Sequence, residues 1–486
     1  MILRRVLVAN RGEIAVRVIR TCRRLGIETV LTVAAGDADS VPARLADKTI
    51  AIGSYLDVEE VVGAAVAAGA MAIHPGYGFL SENPRLARAC EAAGIVFIGP
   101  GADVLEAAGD KLAARNHAVA AGLPVLPGGL VRAGAGGALG AGGEAGAGGA
   151  GGEAGAAGAG GEAGTGAAGA GAGGEIAGRI GYPVLVKAAG GGGGRGLRVV
   201  RDPADLAGAV AMGSAEAQAA FGDGRVYLER YVSPARHVEV QLLGDGENVI
   251  HLGDRDCSVQ RRYAKLVEEA PAPRLGETLR VGMRAAAVAF GQYLKYQGLG
   301  TVEFLVDAAR SEFWFLEVNA RIQVEHPVTE AVTGLDLVAE QIAVAEGRRL
   351  GLSQASVRLD GHAIECRINA EDPAAGFRPS PGRVTSAVFP AGPGIRVDTH
   401  IQAGSAVPPQ YDSLLAKLVV SGASRAGALG RLRGALARCE IGGVATTLPM
   451  YAALAADDEF AAGGVGTDYL ARWLELQTRP VRDKNG

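Results

Sequence analysis

Residues 301–327, TVEFLVDAARSEFWFLEVNARIQVEHP, constrain this chain more than any other stretch. Val302 to Val306 and Phe313 to Asn319 are short runs rich in β-branched and aromatic residues, and the loop between them is centred near Arg310. A hairpin folded about that centre sets Glu303 opposite Glu317. Side chains alternate along a strand, so Phe313, Phe315, Glu317 and Asn319 are expected on one face and Trp314, Leu316 and Val318 on the other. Two carboxylates directly opposed on a largely apolar ribbon repel each other. A hard divalent cation removes that repulsion. Glu303, Glu317 and Asn319 supply the oxygen ligands that Mg²⁺ or Mn²⁺ takes, with nucleotide phosphates and water completing the shell. A surface hairpin with two unrelated carboxylates is the alternative, and the apolar second face argues against it. Arg321, Gln323, Glu325 and His326 follow at once, polar but without the pattern of a solvated helix.

A second motif states what such a metal is for. YPVLVK (182–187) is an apolar run ending in lysine, GGGGGRG (190–196) follows, and a second apolar run covers Leu197 to Val200. Strand, glycine loop, strand is the form of a flap over phosphates: without Cβ atoms the backbone approaches the anion and its N–H groups donate to it. Lys187 would reach the phosphates, and Arg195 could too. The P-loop pattern, with GKS or GKT opening a helix, is not present here.

The rest of the chain reads as α/β, α+β overall. Residues 4–9 and 28–34 are expected strands around a helix near 12–25, which makes roughly the first hundred residues doubly wound. ANRGEIA (9–15) opens that helix but is not GxGxxG, so no dinucleotide is assigned. Arg11 and Glu13 read as parts of a strand-to-helix turn, structural or domain-contacting. HPGYGFLSEN (74–83) is a glycine-proline turn at a strand end, where ligands of α/β folds sit, with Tyr77 as a candidate pocket wall. Beyond about 350, short strands (384–389, 395–398, 417–421) and a helix near 425–438 are expected.

Composition excludes several classes. Forty-eight basic and 52 acidic residues give a net charge of -4, which offers no field for nucleic acid. Five scattered cysteines, at 22, 90, 257, 366 and 439, fit a reducing cytoplasm and no disulfide framework or CxxC zinc site. MILRRVLVAN has no signal-peptide shape, and the apolar stretch 61–73 is too short for a bilayer, so no membrane is expected. Residues Ala133 to Gly174 depart from everything else. They are glycine and alanine with a few glutamates, plus Leu139 and Thr165, and Glu144, Glu153 and Glu162 repeat nine apart. Such a segment buries too little apolar surface to offset its ordering entropy, and it is expected to be an inserted flexible loop.

Nine stretches together resemble biotin carboxylase, the ATP-grasp component of acetyl-CoA, propionyl-CoA and related biotin-dependent carboxylases. They are ANRGEIA, HPGYGFLSEN, GDK (109–111), RIGYPVLVKAAGGGGGRG (179–196), RHVEVQ (236–241), RDCSVQRR (255–262), VEEAPAP (267–273), EVNARIQVEHPVTE (317–330) and ECRINAEDP (365–373). The resemblance covers nearly the whole chain except roughly 129–178. It implies an ATP-grasp fold in three parts: an N-terminal doubly wound domain (1–114), an ATP-grasp domain (115–335) with a glycine-loop flap (130–231), and a C-terminal domain (336–486).

The same resemblance implies site residues. Glu325 is the base beside bicarbonate. Lys265, Arg321, Gln323 and the Val324 backbone contact bicarbonate, with Arg321 also an active-site arginine. Arg367 binds the biotin ureido oxygen, where a fixed guanidinium stabilises developing negative charge. Lys111 and Lys187 contact phosphate, as do Gly193 and Gly194 of the loop. Glu229, Arg230, Tyr231 and Val232 form the hinge strand that holds adenine, and His237, Gln260, Tyr263 and Leu305 complete the nucleotide pocket with Glu303 and Glu317. Arg230 stands where the family often has lysine, and Tyr263 where it often has histidine. No Met-Lys-Met turn occurs, so biotin is expected on a separate carrier protein, with carboxyltransferase subunits as further partners and a homodimer as the assembly. The alternatives are another ATP-grasp ligase and a non-catalytic scaffold within a carboxylase complex.

Overall fold

A computed structural model describes residues 1–131, 166–188 and 197–478. The chain forms two compact units, Met1–Val125 with Ser233–Gly486, and Leu126–Val232. The glycine loop, with Gly193, Gly194 and Arg195, and residues 133–165 of the glycine-alanine insert lie outside the described residues.

The first unit begins with a parallel sheet. Strands β1 (Arg5–Val8), β2 (Glu28–Val33), β3 (Lys48–Ala51), β4 (Ala72–His74) and β5 (Val96–Phe97) lie in the order β3-β2-β1-β4-β5. Helix α1 (Gly12–Arg24) connects β1 to β2, carrying Glu13 in its first turn and Arg23 and Arg24 in its last, as the helix dipole favours. The strand order reverses between β1 and β4, and in α/β folds ligands sit at the carboxyl ends of the strands at such a point. Asn10, just past β1, donates from Nδ2 to Pro75 O at 2.7 Å and Tyr77 O at 2.8 Å, which fixes the HPGYG turn after β4. Gly76 has φ +64°, and a Cβ there would stand 2.9 Å from the Asn10 amide, so this turn needs glycine.

The second unit holds a four-stranded sheet of β6 (Gly128–Val131), β7 (Val184–Ala188), β8 (Arg198–Val200) and β9 (Val226–Arg230), in the order β6-β9-β7-β8. A helix, Gly166–Ile180, packs on it through Ile176 and Ala177. This corrects the expectation of an inserted loop up to Gly174: residues 166–174 are helical. Ile176 and Ala177 bury against Val131, Val184 and Leu228, and the helix extends back from that anchor into the glycine-alanine sequence.

An eight-stranded antiparallel sheet completes the first unit. Its strands include β10 (Arg236–Asp245), β11 (Val249–Arg261), β12 (Ala264–Ala270), β13 (Gln297–Asp307), β14 (Glu312–Asn319) and β15 (His362–Asn369). The order is β14-β13-β10-β11-β12-β15, followed by Leu414–Gly422 and Ile395–Thr399. Alternation sorts the residues. Val238, Val240, Val302, Phe304 and Val306 enter one core, while Ile364, Cys366, Ile368, Ala416 and Leu418 enter another. Their neighbours His237, Glu239, Gln241, Glu303, Glu365, Arg367 and Lys417 therefore share the opposite face.

The hairpin β13–β14 carries one departure from simple alternation. Glu303 pairs with Glu317, as its centre predicts, but the register slips by one residue between Glu303 and Phe304, so that Phe304 pairs with Phe315. The bulge turns Phe315 into the core beside Val318 and Phe313, while Glu317 points the other way. The expectation that Phe313, Phe315, Glu317 and Asn319 share a face is thus corrected: the phenylalanines pack inward, Phe315 against Phe290 and Phe313 against Phe304. Among the described residues no helix is long and apolar enough to cross a membrane.

Candidate active site

Three carboxylates stand in a row across three strands. Glu317 on β14 faces Glu303 on β13, which faces Glu239 on β10. Like charges so placed repel unless cations lie among them. Lys265 on β12 supplies one. Its Nζ donates to Glu239 at 2.6 Å, Glu303 at 2.7 Å and Glu325 at 2.8 Å. Burial works against its charge, but the three carboxylates win and hold its pKa well above that of a free lysine. Arg255, opposite Glu239 on β11 and wholly buried, donates to Glu239 at 2.5 Å, Gln241 at 2.6 Å, Thr329 at 3.0 Å and Thr301 at 3.1 Å. Five polar groups from four elements are thereby locked in one arrangement.

Glu325 sits at the end of this network, wholly buried. It accepts from Lys265 and, at 3.0 Å, from Arg367, whose Nε donates at 2.5 Å to Glu268. Burial raises the Glu325 pKa, but Lys265 and Arg367 hold it well below the carboxylate range, so it is ionised. Arg321 donates to Glu82 at 2.9 Å and to Asn319 Oδ1 at 2.9 Å. Gln323 is buried, and its amide nitrogen has no hydrogen-bond partner among the described residues. The carbonyls of the turn after Arg321 are both held: Gln323 O lies 2.8 Å from His326 Nδ1, and Val324 O accepts from Lys417 at 2.9 Å.

The donor set at the hairpin fits a hard divalent cation. Burial and Glu303 raise the Glu317 pKa, and its nearest described cation is Lys111 at 3.8 Å, so this carboxylate is the less compensated of the pair. Glu303, against the effect of burial, is held ionised by Lys265 and by His237, whose Nε2 lies 2.8 Å away. Asn319 donates from Nδ2 to Glu303 and accepts from Arg321 on Oδ1, which leaves that oxygen a second lone pair. Two other groups of metal-ligating side chains, His237–Glu239–Glu303 and Glu239–Cys257–Glu325, also converge. Each is already bridged by the Lys265 ammonium, which fills the role of the cation there.

Within the first unit the structure brings together Lys265, His237, Glu303, Asn319, Arg321, Glu325 and Arg367 of the sequence-predicted residues. Leu305 pairs with His237 across β13 and β10, and Gln260 with Lys265 across β11 and β12. Tyr263 stands at the exposed tip between β11 and β12 with φ +70°. Tyr77 donates its hydroxyl to Glu13. In the second unit, Lys187 on β7 and Glu229 on β9 form an ion pair at 2.6 Å, Arg230 N donates to Pro127 O at 3.0 Å, and Tyr231 N donates to Pro183 O at 3.1 Å. Val232 is the last residue of that unit. Sequence reasoning missed Glu239, Arg255, Glu268, Glu82 and Lys417. The alternation in RHVEVQ, which sets Glu239 on the His237 face, was the signal available for the first.

Fold and site together define an ATP-grasp enzyme: a glutamate–asparagine hairpin and a Lys265-centred acidic cluster on one antiparallel sheet, with a separate small sheet carrying a second lysine. Three family models match, described as biotin carboxylase, N-terminal domain (residues 2–105), carbamoyl-phosphate synthase L chain, ATP binding domain (155–353), and biotin carboxylase C-terminal domain (365–472). The chain belongs to the biotin carboxylase family. It is 44% identical over 475 residues to biotin carboxylase of Nostoc sp., covering 96% of this chain and 98% of that one. It is 44% identical over 481 residues to biotin carboxylase of Pseudomonas aeruginosa, covering 98% and 99%. The biotin carboxylase domain dimer of Hydrogenobacter thermophilus 2-oxoglutarate carboxylase, solved with MgADP, ADP and bicarbonate, matches with a TM-score of 0.88 at 41% identity, over 99% of this chain and all of that one.

Proposed function

We propose that this protein carboxylates biotin with ATP and bicarbonate, on a separate biotin carboxyl carrier protein, as the first half-reaction of a biotin-dependent carboxylase. The observation that carries the reading is the Lys265 ammonium held by Glu239, Glu303 and Glu325 at 2.6–2.8 Å, with Arg367 on the other side of Glu325. Bicarbonate is a poor electrophile and needs a phosphoryl group to become carboxyphosphate. Its proton passes to Glu325, ionised and buried, while its oxygen attacks the γ-phosphorus and ADP leaves. Bicarbonate draws Lys265 and Arg321 toward itself. As Lys265 turns from Glu325 to the anion, the carboxylate loses its main stabilising charge and becomes a better base.

Mg²⁺ or Mn²⁺ would be held by Glu303, Glu317 and Asn319, and when bound it neutralises phosphate charge. Lys111 and Lys187 are assigned to the phosphates, Glu229 to Val232 with His237, Gln260, Tyr263 and Leu305 to the nucleotide, and Gln323 and the Val324 backbone to bicarbonate. Arg367 takes the ureido oxygen of biotin, beside Tyr77, and stabilises the charge that develops there as the ureido nitrogen loses its proton and attacks the activated carboxyl group. A homodimer and separate carboxyltransferase subunits complete the assembly. The test is bicarbonate-dependent ATP cleavage with Mg²⁺ or Mn²⁺. Stimulation by free biotin is expected and separates this reading from another ATP-grasp ligase. Nucleotide binding without turnover under any metal would overturn it.

A further inference from the structure

The ANRGEIA motif has no part in the chemistry above, yet its glutamate ends in a wholly buried place. Glu13 is 3% exposed, in the first turn of α1. One of its oxygens accepts from the Tyr77 hydroxyl, and the other lies 3.2 Å from Lys417 Nζ. Lys417 is wholly buried too. It sits opposite Arg367 in the antiparallel pairing of β15 with Leu414–Gly422, on the face that bears Arg367 and Glu365. Its ammonium donates at 2.9 Å to the carbonyl of Val324, the residue before Glu325, and lies 3.9 Å from Asp398, itself paired with Arg396 at 2.7 Å.

A buried ammonium needs a carboxylate beside it, and Glu13 at 3.2 Å is nearer to Lys417 than Asp398 at 3.9 Å. Burial raises the Glu13 pKa, and Lys417 is the chief group opposing that rise. A charge-assisted bond to a backbone carbonyl fixes the peptide plane it grips. The plane gripped here joins Val324 to Glu325. Lys265 and Arg367 hold the carboxylate end of Glu325, whereas Lys417 holds its backbone end. Misplacing a catalytic group by about 1 Å can cost on the order of a hundredfold in rate.

We propose that Glu13 and Lys417 are positioning residues that hold the Val324–Glu325 peptide, so that the turn from ANRGEIA serves the base through the C-terminal strand. The inference rests on the biotin carboxylase reading. Lys417→Met alone would strand the Glu13 carboxylate and is a poor probe. The full-length Glu13→Gln/Lys417→Met double variant removes both charges and keeps length and packing. Its kcat for bicarbonate-dependent ATP cleavage is expected to fall at least about tenfold, with the Kd for ATP within about twofold and the melting temperature within about five degrees. Unchanged kcat would overturn the proposal. So would a fall in kcat matched by equal weakening of ATP binding, or a variant that fails to fold, because either shows a structural brace only. A wild-type protein without bicarbonate-dependent turnover would instead overturn the activity on which the inference rests, and that is seen before any variant is made.

Discussion

Two pairs of glutamates oppose each other on the same eight-stranded sheet, and the sheet treats them differently. Glu303 faces Glu317 across β13 and β14, and Glu268 faces Glu365 across β12 and β15. The first pair has Lys265, His237 and Lys111 around it and Asn319 beside it. In the second, Arg367 donates to Glu268, and both oxygens of the wholly buried Glu365 lack a hydrogen-bond partner among the described residues. Burial, opposed by Lys417, pushes the Glu365 pKa well above the usual range, so this carboxyl holds its proton. Opposed carboxylates thus have two resolutions, a cation or a proton. Glu325 lies between the pairs, bonded to Lys265 of one and Arg367 of the other.

The largest effect is expected where the pairs meet. Glu325→Gln removes the proposed base and keeps the shape; turnover should fall at least about a hundredfold with ATP affinity little changed, read by steady-state kinetics beside calorimetric ATP binding. Glu317→Gln addresses the cation pair. The Mg²⁺ needed for half-maximal activity should rise about tenfold, equal to about 1.4 kcal/mol, with a smaller loss of kcat at saturating metal. The raised pKa of Glu317 also implies that Mg²⁺ binding weakens as pH is lowered, which metal titrations over a series of pH values would detect. Similar behaviour of the two variants would erase the distinction between base and metal ligand.

The proton pair gives a smaller effect with a definite sign. Burial, opposed by Arg367 and reinforced by Glu325, pushes the Glu268 pKa up to about 7. The native state then binds more protons than the unfolded chain between about pH 4.5 and 7, so this group's contribution is complete at the low end and lost as pH rises through 7. Glu268→Gln should flatten that fall, seen as a smaller loss of melting temperature between pH 5 and 8. Glu365→Gln, replacing an acid already neutral, should leave turnover within about threefold and stability within about 1 kcal/mol. A large loss from Glu365→Gln would mean that the second pair is ionised and resolved like the first. Smallest of all is the insert. Replacing residues 133–165 with a short Gly-Ser linker should change turnover by less than about threefold, because loop closure costs only about 0.6 kcal/mol per doubling of length. Extending the replacement through Gly174 cuts into the helix Gly166–Ile180 and should lower the melting temperature further.

Local readings were legible in the sequence where one short segment held both partners. The Glu303–Glu317 pairing followed from a loop centre, and the strand-to-helix turn at ANRGEIA from composition. The bulge between Glu303 and Phe304 was not legible, since nothing in FLVDAARSEFWFL distinguishes a turn centred on Arg310 from one half a residue earlier. The Glu268–Glu365 and Glu13–Lys417 contacts join residues about a hundred and about four hundred positions apart. Alternation reports which face a side chain takes, but not the register between strands so distant in sequence. The helical end of the insert is not legible for a related reason: its anchor, Ile176, lies just past the glycine-alanine tract.

The sheet that carries these pairs is continuous from β14 to Ile395–Thr399. The residues assigned to metal stand on its first strands, and Arg367, assigned to biotin, stands on β15. Separating them would require breaking ladder hydrogen bonds between strands, so the spacing between the two chemistries is a property of a rigid frame and not of a docking equilibrium. The distance from the glutamate–asparagine hairpin to Arg367 is thus counted out in strands of one backbone ladder.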